Sequence, residues 1–132
     1  MKIARRTAAL VAAIVLFGFG ASPAFADIKD YEFQLVQSAA KKGEAIIAVR
    51  LINKKTGETV PDAIIIAKRI DMAPDGMAEM ATKIDQMPST EPGVYRFKAN
   101  LSMEGRWQLS LGAKVQGETA TVQSKLVLKA TP

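Results

Sequence analysis

Tyr95-Arg96-Phe97-Lys98-Ala99-Asn100-Leu101 is followed, across the turn Met103-Glu104-Gly105, by Trp107-Gln108-Leu109-Ser110-Leu111-Gly112-Ala113-Lys114-Val115. In both runs every second residue is aromatic or aliphatic, and those between are mostly charged, polar or glycine. A period of two belongs to strands with one buried and one wet face. Two such strands joined by a short turn are expected to face a common core.

The same period extends in both directions. Tyr31, Phe33 and Leu35 alternate with Glu32 and Gln34 and predict a first strand ending near Ser38, with Lys41-Lys42-Gly43 turning the chain. Ala45 to Ile52 is β-branched and apolar on both faces, as a central strand is, and Asn53 to Gly57 reads as a loop. Ala63 to Ile70 repeats the pattern with Ile64, Ile65 and Ile66 in a row. Val122, Leu126 and Leu128 form one face of a last strand after a turn at Gly117-Glu118. Between them, Asp71 to Gly93 is broken by Ala73-Pro74-Asp75-Gly76, Met87-Pro88 and Glu91-Pro92-Gly93, so it is expected to be irregular, with only Ala81 to Asp85 able to form a short strand. The expected fold is all-β: an immunoglobulin-like β-sandwich of about seven short antiparallel strands after an N-terminal signal peptide. Ile46, Ile47, Val49, Leu51, the three isoleucines, Phe97, Trp107, Leu109 and Leu111 are the expected core.

The signal peptide is read over residues 1–26. Lys2, Arg5 and Arg6 precede an apolar run from Thr7 to Gly20, and Ala24-Phe25-Ala26 supplies small residues for cleavage after Ala26. The run is short for a bilayer span, which disfavours a retained anchor. Ordinary secretion is preferred to twin-arginine export, for which Arg5-Arg6 is thin support. The expectation is a periplasmic domain at residues 27–132. Losing the leader's three cations takes the formal charge from +5 to +2, with 15 Lys and Arg against 13 Asp and Glu. Their signs alternate along the chain, which argues against nucleic-acid binding.

The chain contains no cysteine and no histidine. That removes Ser-His-Asp triads, thiol nucleophiles and ordinary zinc sites, and no glycine-rich loop precedes a helix to cradle phosphate, so an enzyme is not expected. It also leaves methionine thioether as the soft metal donor. Met72, Met77, Met80 and Met87 fall in one turn-rich stretch, and thioether sulfur suits copper(I) or silver(I) while discriminating against zinc, magnesium and calcium. A turn at Pro74-Asp75-Gly76 would fold Met72 back toward Met77 and Met80. Asp71, Asp75, Glu79 and Asp85 could add an oxygen ligand, although solvated carboxylates are the plainer reading. The plain reading of the methionines is flexible filler over the open end of the sandwich. Trp107 is expected in the core, Tyr95 is expected to make a structural corner hydrogen bond, and Arg69, Arg96 and Arg106 are expected to be solvated.

Asp71-Met72-Ala73-Pro74-Asp75-Gly76-Met77-Ala78-Glu79-Met80, then Glu91-Pro92-Gly93-Val94-Tyr95-Arg96-Phe97, then Gly105-Arg106-Trp107-Gln108-Leu109 resemble the YtkA-like/FixH-like family of small exported bacterial domains. The likeness runs from about Tyr31 to Leu128. It implies an immunoglobulin-type sandwich and an association with copper transport or heavy-metal efflux, and it aligns Met72, Met77 and Met80 with the family's methionine-bearing loop. Met87 and Asp71 are secondary candidates.

Two functions are therefore expected. The first is a periplasmic accessory protein that holds copper(I) or silver(I) on that loop and serves a membrane transporter or efflux component. The alternative is a metal-free interaction module docking on a transport partner.

Overall fold

The computed structural model describes residues 29–132; the proposed leader and its cleavage point at Ala26 lie outside them. Among the described residues nine strands follow one another: β1 Tyr31–Leu35, β2 Ala39–Lys41, β3 Gly43–Asn53, β4 Ile64–Met72, β5 Met77–Thr82, β6 Ile84–Met87, β7 Val94–Leu101, β8 Gly105–Lys114 and β9 Thr121–Thr131, with a 3-10 turn at Ala73–Asp75 between β4 and β5. They make two sheets, in the orders β1-β3-β7-β6 and β2-β9-β8-β4-β5. With β1 and β2 taken as two halves of one split first strand, this is the immunoglobulin-type arrangement. Among the described residues no helix is long and apolar enough to cross a membrane.

The alternation in β7 and β8 places the core. Tyr95, Phe97, Ala99 and Leu101 from one sheet and Trp107, Leu109, Leu111 and Ala113 from the other are all buried, joined by Phe33, Val49, Leu51 and Leu128. Tyr95 donates its hydroxyl hydrogen to the carbonyl of Val60 and accepts the Ala63 N–H at 3.0 Å. The bond is structural, as expected, and it ties the start of β7 to the loop between β3 and β4. Burial raises the Tyr95 pKa above its ordinary value, with the nearby charge of Asp62 adding to it against the Ala63 hydrogen bond.

Nine strands stand where about seven were expected, for two physical reasons. The first strand breaks at Ser38 and switches sheets: β1 pairs antiparallel with β3, while β2 pairs parallel with β9. The segment expected to be irregular also contains two strands, β5 on β4 and β6 on β7, so the methionines stand on or beside a sheet edge. The core list needs correction too. Ile46, on the outer face of β3, is exposed, and so are Ile64 and Ile66. A β-bulge moves the β4–β8 register from Ile65↔Ala113 to Ala67↔Gly112, taking Ile66 out of the ladder.

Candidate metal site at the β4–β5 corner

Met72 ends β4 on its inward face, following Ile70 in the alternation, and is fully buried. Ala73-Pro74-Asp75 then makes the 3-10 turn, with Pro74 in its first positions where a missing N–H costs nothing. Gly76 closes it in the left-handed region at φ 77°, donating its N–H to the Ala73 carbonyl at 2.9 Å. Met77 therefore starts β5 directly opposite Met72. Opposed residues of an antiparallel pair hold their Cβ atoms about 4.5–5.5 Å apart on one face, so two thioethers share one side of the corner. Met77 is half-buried and packs on the core.

The ladder jumps from Asp71↔Ala81 to Met72↔Met77, so Ala78, Glu79 and Met80 loop out of register. Met80 lies in this loop and is exposed. The corner thus brings Met72 and Met77 together and leaves Met80 beside them on the solvent side. Met87 stands apart, on β6 in the other sheet opposite Arg96. Among the described residues no group of three His, Cys, Asp or Glu side chains is arranged to hold a metal.

The acids of this segment have other work. Asp75 accepts the Arg106 backbone N–H and its Nε–H, both at 2.8 Å, while the Arg106 NH2 group donates to the Pro74 carbonyl at 2.7 Å. This clamp fastens the 3-10 turn onto the start of β8. The hydrogen bonds from the Arg106 backbone and side chain hold the Asp75 carboxyl below its usual range. Gly105, at φ 135°, lets the turn come this close: a Cβ there would stand 2.6 Å from Asp75 Oδ2 and 2.7 Å from Met72 Cε.

Asp71 occupies the position before Met72, so its side chain leaves the opposite face of the strand. It is buried, accepting Arg69 Nε–H at 2.7 Å and the Ala73 N–H at 2.9 Å, and Arg69 also donates to the Ala78 carbonyl at 2.9 Å. Burial pushes the Asp71 carboxyl up, but the Ala73 hydrogen bond and the Arg69 guanidinium outweigh it and leave the pKa lowered. Arg69 and Arg106 are exposed strand residues, as expected, and they also brace the corner through ion pairs. Glu79 and Asp85 are exposed.

A carboxyl whose folded pKa is lowered adds stability that is full above its unfolded value, about 3.9, and is lost as pH falls through the folded value. Asp71→Asn should therefore lower the urea midpoint at neutral pH and reduce the further loss below about pH 4. Midpoints measured for both proteins across that range check the sign.

Fold and corner together define a small immunoglobulin-type domain with a thioether-bearing sheet edge. The YtkA-like family profile matches residues 25–112, and the chain belongs to that family. Among solved structures, the Lin-41 filamin domain is similar over 78% of this chain and 93% of that one, at 16% identity and a TM-score of 0.50. The ZirS C-terminal domain is similar over 96% and 87%, at 12% identity and a TM-score of 0.45. The endo-beta-1,4-mannanase from Thermotoga petrophila is similar over 80% of this chain and 21% of its own, at 12% identity and a TM-score of 0.41. The filamin likeness agrees with the sandwich. No curated protein matches the chain.

Proposed function

We propose that this YtkA-like domain is exported to the periplasm, takes up copper(I) or silver(I) at the β4–β5 corner, and passes the ion to a membrane transport or efflux component. The observation that carries the proposal is the cross-strand pair of Met72 and Met77, beside an out-of-register loop bearing Met80, in a chain with no thiol or imidazole. Thioethers stay neutral at every accessible pH, so a soft monovalent ion displaces no proton on binding. Met77 and Met80 are the reachable donors. Met72 is the floor of the site and joins them by a rotamer change that its three rotatable side-chain bonds permit. Binding limited to thioethers would be exchangeable, which suits transfer better than storage.

A metal-free interaction module is the second reading, and one observation favours it: Met72 is wholly buried against the core, as a packing residue is. Anaerobic titration with copper(I) against a competing chelator separates the two. The wild type should bind one ion, Met77→Leu with Met80→Leu should bind far more weakly, and adding Met72→Leu should abolish binding. Leucine preserves volume and apolarity, so each swap should cost under about 1.5 kcal/mol of stability. Equal affinity in the wild type and the triple variant would sink the metal reading.

A further inference from the structure

The outer face of the larger sheet carries a feature that the metal corner does not use. At its centre is an open trough of about 440 Å³ whose lining includes Ala67, Arg69, Ser110, Gly112, Gln123 and Lys125. Its floor is low because the outward positions of β8 hold serine and glycine where a strand usually presents bulk. The β4 bulge makes one rim, leaving Ile64 and Ile66 66% and 54% exposed.

The charge is as uneven as the relief. The three strands around the trough, β4, β8 and β9, carry Lys68, Arg69, Arg106, Lys114, Lys125 and Lys129 against Asp71 alone, six cations to one anion. The rest of residues 27–132 holds nine cations and twelve anions. The alternation of signs along the sequence therefore separates in space, because β8 and β9 send only lysine, arginine and neutral side chains to this face. Arg69 is already paired with Asp71 and Arg106 with Asp75, whereas Lys114, Lys125 and Lys129 make no ion pair among the described residues. Lys68, opposite the buried Leu111, follows the inward positions of β4, so Lys114 and Lys125 are the free cations that flank Gly112 on this face.

A small ligand would remain largely uncovered in so open a site, since small-molecule pockets enclose most of their ligand's surface. A bilayer is flat and would bridge the recess without filling it. A polypeptide fits both the relief and the charge. We propose that this face docks an acidic segment of a partner protein, with one large apolar side chain seated over Gly112 and flanking carboxylates meeting Lys114 and Lys125. Complementary charge then sets encounter rate and register, and the apolar anchor supplies most of the affinity. The proposal does not depend on metal binding at the corner.

The test uses the protein as its host produces it and a short synthetic peptide with a central tryptophan flanked by aspartates and leucines, followed by backbone amide NMR shifts. Shift changes should cluster at Ser110, Gly112, Gln123 and Lys125 and fade with added salt. Lys114→Glu with Lys125→Glu should weaken binding roughly tenfold or more, and a peptide with lysine in place of aspartate should not bind. Ala67→Phe, at an exposed position, should block the trough without changing its charge. Shifts centred elsewhere, equal affinity in the charge-reversed protein, or no binding would overturn the proposal. So would binding to phosphatidylglycerol vesicles with none to the peptide, which would make the face a membrane contact.

Discussion

Trp107→Ala should lower the stability of the domain by about 3–5 kcal/mol, a large share of what a single domain of this size has available. Trp107 is fully buried on β8, and its indole N–H donates to the Met103 carbonyl at 3.0 Å. Truncation would open a cavity between the sheets and unpair the carbonyl that closes the β7–β8 turn. Trp107→Phe separates these effects: it keeps most of the apolar contact and loses the hydrogen bond, so it should cost less than the alanine variant. Urea midpoints of the three proteins check the order. An unchanged midpoint for the alanine variant would mean that the side chain is not the center of the core.

The fold was legible where strands have one wet face. In β7, β8 and β9 the alternation of residue types matches the alternation of burial, and the sandwich follows from it. Legibility failed where apolar residues occupy consecutive positions. Ile64-Ile65-Ile66 carries no period, so only the bulge decides which isoleucine faces outward. In β3, Ile46 looks as buried as Ile47, yet the outer face of its sheet is uncovered. The segment from Asp71 to Gly93 looks irregular in sequence because Ala73-Pro74-Asp75-Gly76, Met87-Pro88 and Glu91-Pro92-Gly93 interrupt it. Two strands form between those breaks all the same, held by pairing with β4 and β7, which no local pattern records.

The site was legible in part for a similar reason. The turn chemistry of Pro74-Asp75-Gly76 does fold Met72 back toward Met77, as the sequence suggested. The partners that hold the turn are 31 residues away in the case of Asp75 and Arg106. Spacing gives no hint of such a contact, and opposite charges at that separation are common in any chain. The arginines are solvated surface residues, as the sequence suggests, and what it does not show is that they anchor the acids that could otherwise have served as metal ligands.

Gly105→Ala should be the most damaging single change at the corner, costing about 2–4 kcal/mol from the strained backbone and the overpacking together. The residue sits at φ 135°, where side chains are rarely found, and its new methyl would press on Asp75 Oδ2 and Met72 Cε. Relief requires the 3-10 turn to lift from β8, which loosens both Asp75 hydrogen bonds to Arg106 and carries Met72 away from its place opposite Met77. The consequence reaches from stability to chemistry. If the paired thioethers hold copper(I), Gly105→Ala should weaken its binding although no donor atom has been removed, and Asp75→Asn should do so to a smaller degree because the amide still accepts from the Arg106 backbone. Gly57→Ala provides the control: Gly57 also has positive φ, at 77°, but a Cβ there meets nothing within 4 Å, so it carries backbone strain without touching the corner. A copper(I) affinity that falls in Gly105→Ala and holds in Gly57→Ala would tie the metal site to the docking of the turn. An affinity unchanged in both would place any copper(I) on the exposed Met80 side, independent of Met72.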